Sequence, residues 1–332
     1  MIPAGSYGRV LAVSMSRGLT DLIQWERYWA VQKSDDVQRA ARHWDARAKR
    51  SNSVMVRWWQ CPQILRHINR KLSGEPVDGF AGGLRAWLAR ELGGRVLTRG
   101  ISVGCGNGAK EMGLLKAGLV ERFDLFEISQ VRISQGISLA ESQGLSDRVS
   151  FFLKDAFETE RKARYDLVYW DNALHHMPDA RAACEWSRQV LCPGGYIVVN
   201  DYIGADRFQH SDRALDYASR VRRSFPGKFL ENGARPGAFV PERVTRIDRD
   251  RLIAQDPSEA ADSARIVGEV SRLFPGGRWI MLGGVIYHTG LNDIIWNFDR
   301  YGAGGLLDGC LIVDDLLSDL GENEYGAFMA QV

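Results

Sequence analysis

From Asp21 to Leu92 apolar positions recur at helical spacing: Leu22, Trp25 and Trp29, then Val37, Ala40 and Trp44, then Leu65, Ile68 and Leu72. The pattern predicts three or four helices. Pro62 opens or kinks one of them, and Ser73-Gly74-Glu75-Pro76 breaks the chain before another over Gly83 to Leu92. Near residue 97 the rhythm changes. Short β-branched runs at Ile101 to Val103, Phe123 to Ile128, Val149 to Leu153, Tyr165 to Trp170 and Tyr196 to Asn200 alternate with amphipathic stretches at Lys110 to Ala117, Gln130 to Gln143 and Ala180 to Leu191. Alternation of strand and helix signals predicts a parallel, doubly wound α/β sheet with crossover helices. After Tyr202 the rhythm stops. Ile203 to Pro275 reads as an insertion with helical patches near Asp212 to Arg222 and Ser258 to Leu273. Strand signal returns at Trp279 to Tyr287, a helix covers about Leu306 to Leu320, and Tyr325 to Val332 reads as a last strand forming an antiparallel edge pair.

Four segments follow: a helical cap (1–96), a sheet core (97–202), an insertion shaping specificity (203–277) and the return to the sheet (278–332). With 332 residues, 45% hydrophobic and 25% charged, the chain has globular composition, which excludes wholesale disorder and collagen-like or coiled-coil structure. A net charge of +2 is too small to imply nucleic-acid or membrane binding by the whole chain. The five cysteines, Cys61, Cys105, Cys184, Cys192 and Cys310, form no CxxC pair, so no disulfide framework or zinc ribbon is expected. No apolar run approaches the ~20 residues of a membrane span, and the start lacks a secretory pattern; a cytoplasmic protein is the expectation.

The chemistry concentrates at strand ends. Ile101-Ser102-Val103-Gly104-Cys105-Gly106-Asn107-Gly108 runs from a strand into a glycine-rich turn and on to a helix, a form in which the backbone can approach a ligand closely. The next strand ends at Glu127, about 20 positions on, where a carboxylate reaches ribose hydroxyls. Asp124 lies near the same strand, but strand alternation and the end-of-strand position favour Glu127. Through Ala109 the turn also satisfies GxGxxA, so alone it does not separate a nicotinamide dinucleotide from an adenosyl cofactor.

The ordered set that follows does separate them. Lys154-Asp155-Ala156 comes after the third strand, Trp170-Asp171-Asn172 after the fourth, and Leu191-Cys192-Pro193-Gly194-Gly195 before the fifth. With these motifs, residues 97 to 202 and the C-terminal strand pair resemble the class I S-adenosylmethionine-dependent methyltransferases. The resemblance implies a Rossmann-like seven-stranded sheet and a cofactor, S-adenosylmethionine, leaving as S-adenosylhomocysteine. It further implies that Gly104, Cys105 and Gly106 lie against the methionine part and that Glu127 holds the ribose. Asp155 and the Ala156 amide would hold the adenine, and Asp171 and Asn172 would face the methionine end and the acceptor. Asp201-Tyr202-Ile203-Gly204, Arg207-Phe208-Gln209 and Asp256-Pro257-Ser258-Glu259-Ala260 look like a bacterial branch acting on small molecules or glycans. The long segment after the fifth strand departs from the family's pattern.

Several positions keep two readings. Asp155 either contacts adenine or caps the next helical turn. His175 and His176 invite a metal, yet adjacent histidines lack the i, i+4 spacing of ligands on one helix face, so no metal site is expected. His176, Asp171 and Asp201 are the candidates for proton transfer to and from the acceptor, His176 because an imidazole titrates near neutrality. Asn200, Asp201 and Tyr202 contact the acceptor or make an ordinary turn. Trp58 and Trp59 are core or platform. From Val37 to Lys71 nine basic residues face one acid, Asp45, which describes a solvated face or a cap attracting an anionic acceptor. The expected partner is a small-molecule, lipid-linked or glycan acceptor rather than nucleic acid, and the cap's exposed aromatics also serve a homodimer. The competing functions are a nicotinamide-dependent oxidoreductase and a non-catalytic adenosylmethionine-binding partner protein.

Overall fold

A computed structural model describes residues 35–49, 54–158 and 162–332. The predicted helical positions Leu22, Trp25 and Trp29 lie outside the described residues. The cap contains helix α1 (35–48), α2 (Pro62–Ser73) and α3 (Gly82–Leu92). Pro62 opens α2 at its first position, where its missing N–H costs nothing, and Gly74 ends it in a left-handed conformation.

The core follows as β1 (Leu97–Val103), α4 (Ala109–Lys116), β2 (Val120–Glu127), α5 (Gln130–Ser142), β3 (Val149–Leu153), β4 (Tyr165–Asp171), α6 (Ala180–Val190) and β5 (Leu191–Tyr202). The remainder comprises α7 (Asp212–Arg223), α8 (Arg249–Gln255), α9 (Ile266–Leu273), β6 (Arg278–Gly283), α10 (Trp296–Arg300), α11 (Gly304–Asp319) and β7 (Tyr325–Gln331). The seven strands are ordered β3-β2-β1-β4-β5-β7-β6. The first five run parallel, and β7 pairs antiparallel with both β5 and β6. The expected α/β sheet with its antiparallel edge pair is therefore present. Chain order reverses between β1 and β4, and in an open sheet the crevice beyond the carboxyl ends at that reversal is where ligands bind.

Strand alternation sends neighbouring residues to opposite faces, which makes a three-layer molecule. Leu167, Tyr169, Val198 and Met329 belong to the core shared with α2, α3, α4 and α11. Val168, Trp170, Val199 and Phe328 belong to the core shared with α6 and α9. The cap thus covers one sheet face as part of a continuous core. Among the described residues no helix is long and apolar enough to cross a membrane.

Two expectations are corrected. The helix expected over Ser258 to Leu273 starts only at Ile266. Arg207 donates to the carbonyls of Pro257, Glu259 and Ala260, acceptors that the first turn of a helix would use, and Ala260 adopts φ 46°, outside the helical region. The strand expected over Trp279 to Tyr287 stops at Gly283. Gly283 and Gly284 have φ of 78° and 121°, and the amides of Gly284 and Ile286 turn away from the sheet to the buried Asp314 carboxylate. Val285 to Gly290 then wind as one π-helical turn. A short apolar run is compatible with either state, and here the glycine pair decides. The short helices α8 and α10 were not foreseen.

Candidate functional site

The glycine turn leaves β1 at the reversal point. Gly104 donates to the Phe126 carbonyl at 2.8 Å and has φ 64°; a Cβ there would lie 3.1 Å from the Ala173 Cβ on the far side of the turn. Glycine is therefore required both for conformation and for space. Glu127 ends β2 beneath this turn and is 8% exposed. Its Oε2 accepts from Gly106 N at 2.8 Å, and its Oε1 accepts from Ile128 N at 2.7 Å and Ser129 N at 2.9 Å. A carboxylate has about four acceptor sites, so one on Oε2 is left for a ligand hydroxyl. Burial pushes the Glu127 carboxyl up from its usual range, against the pull of these three amides.

Helix α1 reaches this crevice. Asp45 accepts from Ser129 Oγ at 2.5 Å and from Val131 N at 3.2 Å, joining the cap to the start of α5. Trp44 meets the His176 ring edge-on at 5.2 Å, and the Arg132 guanidinium lies 5.7 Å from its centroid. Arg132 in turn borders Gly106.

At the carboxyl ends of β2 and β3, Phe126 and Phe152 stack at 4.8 Å, and Ala156 is buried. Asp155 is exposed and accepts from Phe157 N at 2.9 Å, so it caps the short turn after β3 while remaining open to a ligand. At the end of β4 the Asp171 carboxylate is fully engaged. It accepts from Tyr169 Oη at 2.7 Å, Asn172 Nδ2 at 2.8 Å and Asn200 Nδ2 at 3.0 Å, with Lys110 Nζ 3.4 Å away. Lys110 also donates to the Asp171 carbonyl. Beside this group Glu111 is wholly buried. One of its oxygens accepts from Ser102 Oγ at 2.6 Å, the other has no partner, and burial pushes its pKa up.

Past β4 a single turn carries the two histidines. Asp201, fully buried at the end of β5, accepts from the amides of Ala173 at 2.9 Å, Leu174 at 2.7 Å and Tyr202 at 2.9 Å, and from His175 Nδ1. Its lone pairs are committed to holding that turn. Burial alone would lower the His175 pKa, but Asp201 on one side and Glu259 on the other reverse this and hold it up at about 10. His175 Nε2 lies 3.5 Å from Glu259 Oε1. His176 Nδ1 lies 3.2 Å from Ser258 Oγ, which donates to Asp256 Oδ1 at 2.6 Å. A hydroxyl has one proton to give, so Ser258 receives the His176 Nδ1 proton and Nε2 keeps the lone pair. Burial and the neighbouring His175 charge push the His176 pKa down.

The sequence reading placed Gly104, Cys105, Gly106, Glu127, Asp171, Asn172, His176 and Asp201 around one crevice, and the structure brings them together there. It missed Asp45, Lys110 and Glu111, and it missed Asp256, Ser258 and Glu259, which the insertion delivers to the histidines. The only sequence signal for that last group was the Asp-Pro-Ser-Glu string itself.

Behind Tyr202 a second buried group joins β7 to the π-helical turn. Glu324 accepts from His210 Nδ1 and His288 Nδ1, each at 2.9 Å, and from Thr289 Oγ1 at 2.8 Å. Burial alone would raise its pKa, but the two imidazoles hold it down at about 2. A depressed acid stabilises the fold above its unfolded pKa, about 4.3, and loses that contribution as pH falls through the folded value. Urea unfolding should therefore show stability dropping between about pH 4.5 and 2 by roughly 3 kcal/mol from this group. Glu324→Gln should lose a similar amount at pH 7 and flatten the acid limb; an unchanged limb would contradict the assignment.

Residues 97–225 match the family model described as "Methyltransferase domain". Among curated proteins, the chain is 34% identical over 143 residues to a probable tocopherol O-methyltransferase, chloroplastic, of Oryza sativa subsp. japonica, covering 42% of this chain and 39% of that one. It is 32% identical over 104 residues to the 27-O-demethylrifamycin SV methyltransferase of Amycolatopsis mediterranei, covering 31% and 38%. The chain thus spans about two fifths of the length of these relatives. A solved structure, a putative sarcosine dimethylglycine methyltransferase from Galdieria sulphuraria, aligns with TM-score 0.46 at 15% identity over 75% of this chain and 86% of that one. The family match coincides with the glycine turn, the strand-end acids and the sheet reversal described above, and it identifies residues 97–225 as a methyltransferase domain.

Proposed function

We propose that the protein transfers the methyl group of adenosylmethionine to a hydroxyl oxygen, or a nitrogen, of a small-molecule acceptor such as a secondary metabolite or glycan. The observation that carries this reading is the convergence of a positive-φ glycine turn, a buried acid with a spare acceptor site and an imidazole held through Nδ1 around one crevice. Those residues fit the cofactor: Glu127 binds the ribose, the backbone from Gly104 to Gly106 lies along the methionine part, and Asp155 with the Ala156 amide takes the adenine edge. When bound, the cofactor supplies a methyl carbon on a sulfonium, already a good leaving group. The chain's part is then to align the acceptor and exclude water, which proximity and orientation favour.

His176 Nε2 is placed to take the proton of an acceptor hydroxyl. Asp201 and Asp171 act by position, since their oxygens are occupied by backbone and amide donors. A carboxylate or phosphate acceptor would need no such base. Of the nine basic residues in the cap segment, Arg39, Arg57, Arg66 and Lys71 already hold carboxylates, which weakens the case for an anionic acceptor. Two of the curated relatives are named for O-methylation or for an O-demethylated substrate, which favours oxygen over nitrogen.

The test is transfer of labelled methyl from adenosylmethionine into small-molecule, lipid, glycan, protein and RNA fractions. Label is expected in the small-molecule or glycan fraction. It should fall by about two orders of magnitude in His176→Gln while adenosylhomocysteine binding is retained, the usual scale of a general base. Adenosylhomocysteine binding with no label in any fraction would make the protein a cofactor binder without turnover.

A further inference from the structure

His175, His176 and Glu259 each bring one donor atom to a common point, all within 4.8 Å of one another. Among the described residues no other group of three or more such donors does so. We propose that these three residues form a binding site for a divalent transition-metal ion, zinc in the first place, at the acceptor end of the crevice.

The spacing fits the chemistry. Around an ion with bonds of about 2.0–2.1 Å to imidazole nitrogen and carboxylate oxygen, tetrahedral neighbours are about 3.4 Å apart, and His175 Nε2 lies 3.5 Å from Glu259 Oε1. Both histidines also carry the outer partners that metal-binding imidazoles need. His175 Nδ1 is committed to Asp201, and His176 Nδ1 to Ser258, itself held by Asp256. Each ring is thereby fixed with Nε2 as the available donor. An ion takes the place of the Nε2 proton that the His175 ring otherwise directs at Glu259, and that proton is released to solvent while Nδ1–H stays on Asp201.

The scaffold holds Glu259 in place at the expense of local strain. Arg207 donates from its guanidinium to the carbonyls of Pro257 and Glu259, both at 2.8 Å, and from its amide to Ala260 at 2.7 Å. Ala261 N reaches the His175 carbonyl at 3.0 Å, tying the insertion directly to the histidine turn. Arg207, Phe208 and Ala260 sit at φ of 54°, 54° and 46°, a left-handed region that side-chain-bearing residues rarely occupy and that clusters at functional sites. Three protein donors leave one position of a tetrahedral ion for water or an acceptor oxygen. Two imidazoles with one carboxylate suit zinc, cobalt or iron rather than magnesium or calcium. The inference rests on the proposed function only for what occupies that fourth position, and with the ion held His176 serves as ligand instead of proton acceptor.

The experiment uses the full chain after chelator treatment, titrated with Zn²⁺ and with Co²⁺ by calorimetry and visible absorption, with adenosylhomocysteine affinity measured in parallel. One ion per chain and the intense visible bands of low-coordinate cobalt are expected, with affinity falling at least tenfold in Glu259→Gln and in His176→Gln. Absence of stoichiometric binding to the unsubstituted protein, or ion affinity in both variants unchanged from that of the unsubstituted protein, overturns the site. Retained adenosylhomocysteine binding in every variant shows that the fold and cofactor crevice are intact. Loss of that binding from the unsubstituted protein would count against the methyltransferase reading and not against the ion site.

Discussion

Glu127→Ala should weaken adenosylhomocysteine binding by about two orders of magnitude. A hydrogen bond to a charged group contributes about 1.5–3 kcal/mol, and each 1.4 kcal/mol is tenfold in affinity. Glu127 is 8% exposed and offers its remaining acceptor site directly beneath the glycine turn. The substitution also strips three amides, at Gly106, Ile128 and Ser129, of their acceptor, so the turn itself loosens. Glu127→Gln separates the two effects. Its one carbonyl oxygen can serve the Ile128 and Ser129 amides, while its NH₂ faces Gly106 N with no acceptor to offer. Calorimetric titration should rank native, then Gln, then Ala. Equal affinity in all three would remove Glu127 from the cofactor site.

The second large effect belongs to Asp201. Replacing it by alanine leaves His175 without its principal counter-charge and leaves the Ala173, Leu174 and Tyr202 amides without an acceptor in a fully buried place. Breaking a buried pair from one side costs about 3–5 kcal/mol. Denaturant unfolding should therefore place Asp201→Ala far below the parent protein. Asp201→Asn keeps the shape and one acceptor and should fold. It should still lose methyl transfer by about a hundredfold or more, because the His175 ring, and with it the turn carrying His176, is no longer held in one orientation. An Asn variant with full activity would confine Asp201 to a stabilising role.

Much of the core was legible because its signals are local. Val149 to Leu153 forms a strand with the bounds its β-branched and aromatic run predicts, and α5 and α6 differ from expectation by one residue. Pro62 and Gly74 punctuate α2 because each restricts φ on its own, whatever surrounds it. Local pattern failed where a distant group took over the backbone. Asp314 captures the amides of Gly284 and Ile286 from 30 and 28 positions away and ends β6 early. Arg207 likewise suppresses the helix expected from Ser258 by taking the carbonyls of Pro257, Glu259 and Ala260.

The same division runs through the site. By itself the sequence determined the sheet class, the glycine turn, Glu127 and the strand-end Asp171 and Asp201, since spacing along alternating strands and helices places these at the carboxyl edge of any such sheet. Only the tertiary structure decided what those groups do. Asp201 and Asp171 are closed off by donors that converge from other strands, and His176 gains its orientation from Ser258, 82 residues away. Glu259, carried in by a loop where the periodicity predicts a helix, meets two histidines whose adjacency in sequence argues against a shared ligand. Spacing along one helix constrains ligands only when all of them lie on that helix. In the proposed ion site the third donor comes from the insertion, and its position is set by the contacts of Arg207 with Pro257 and Glu259, which no one-dimensional pattern contains.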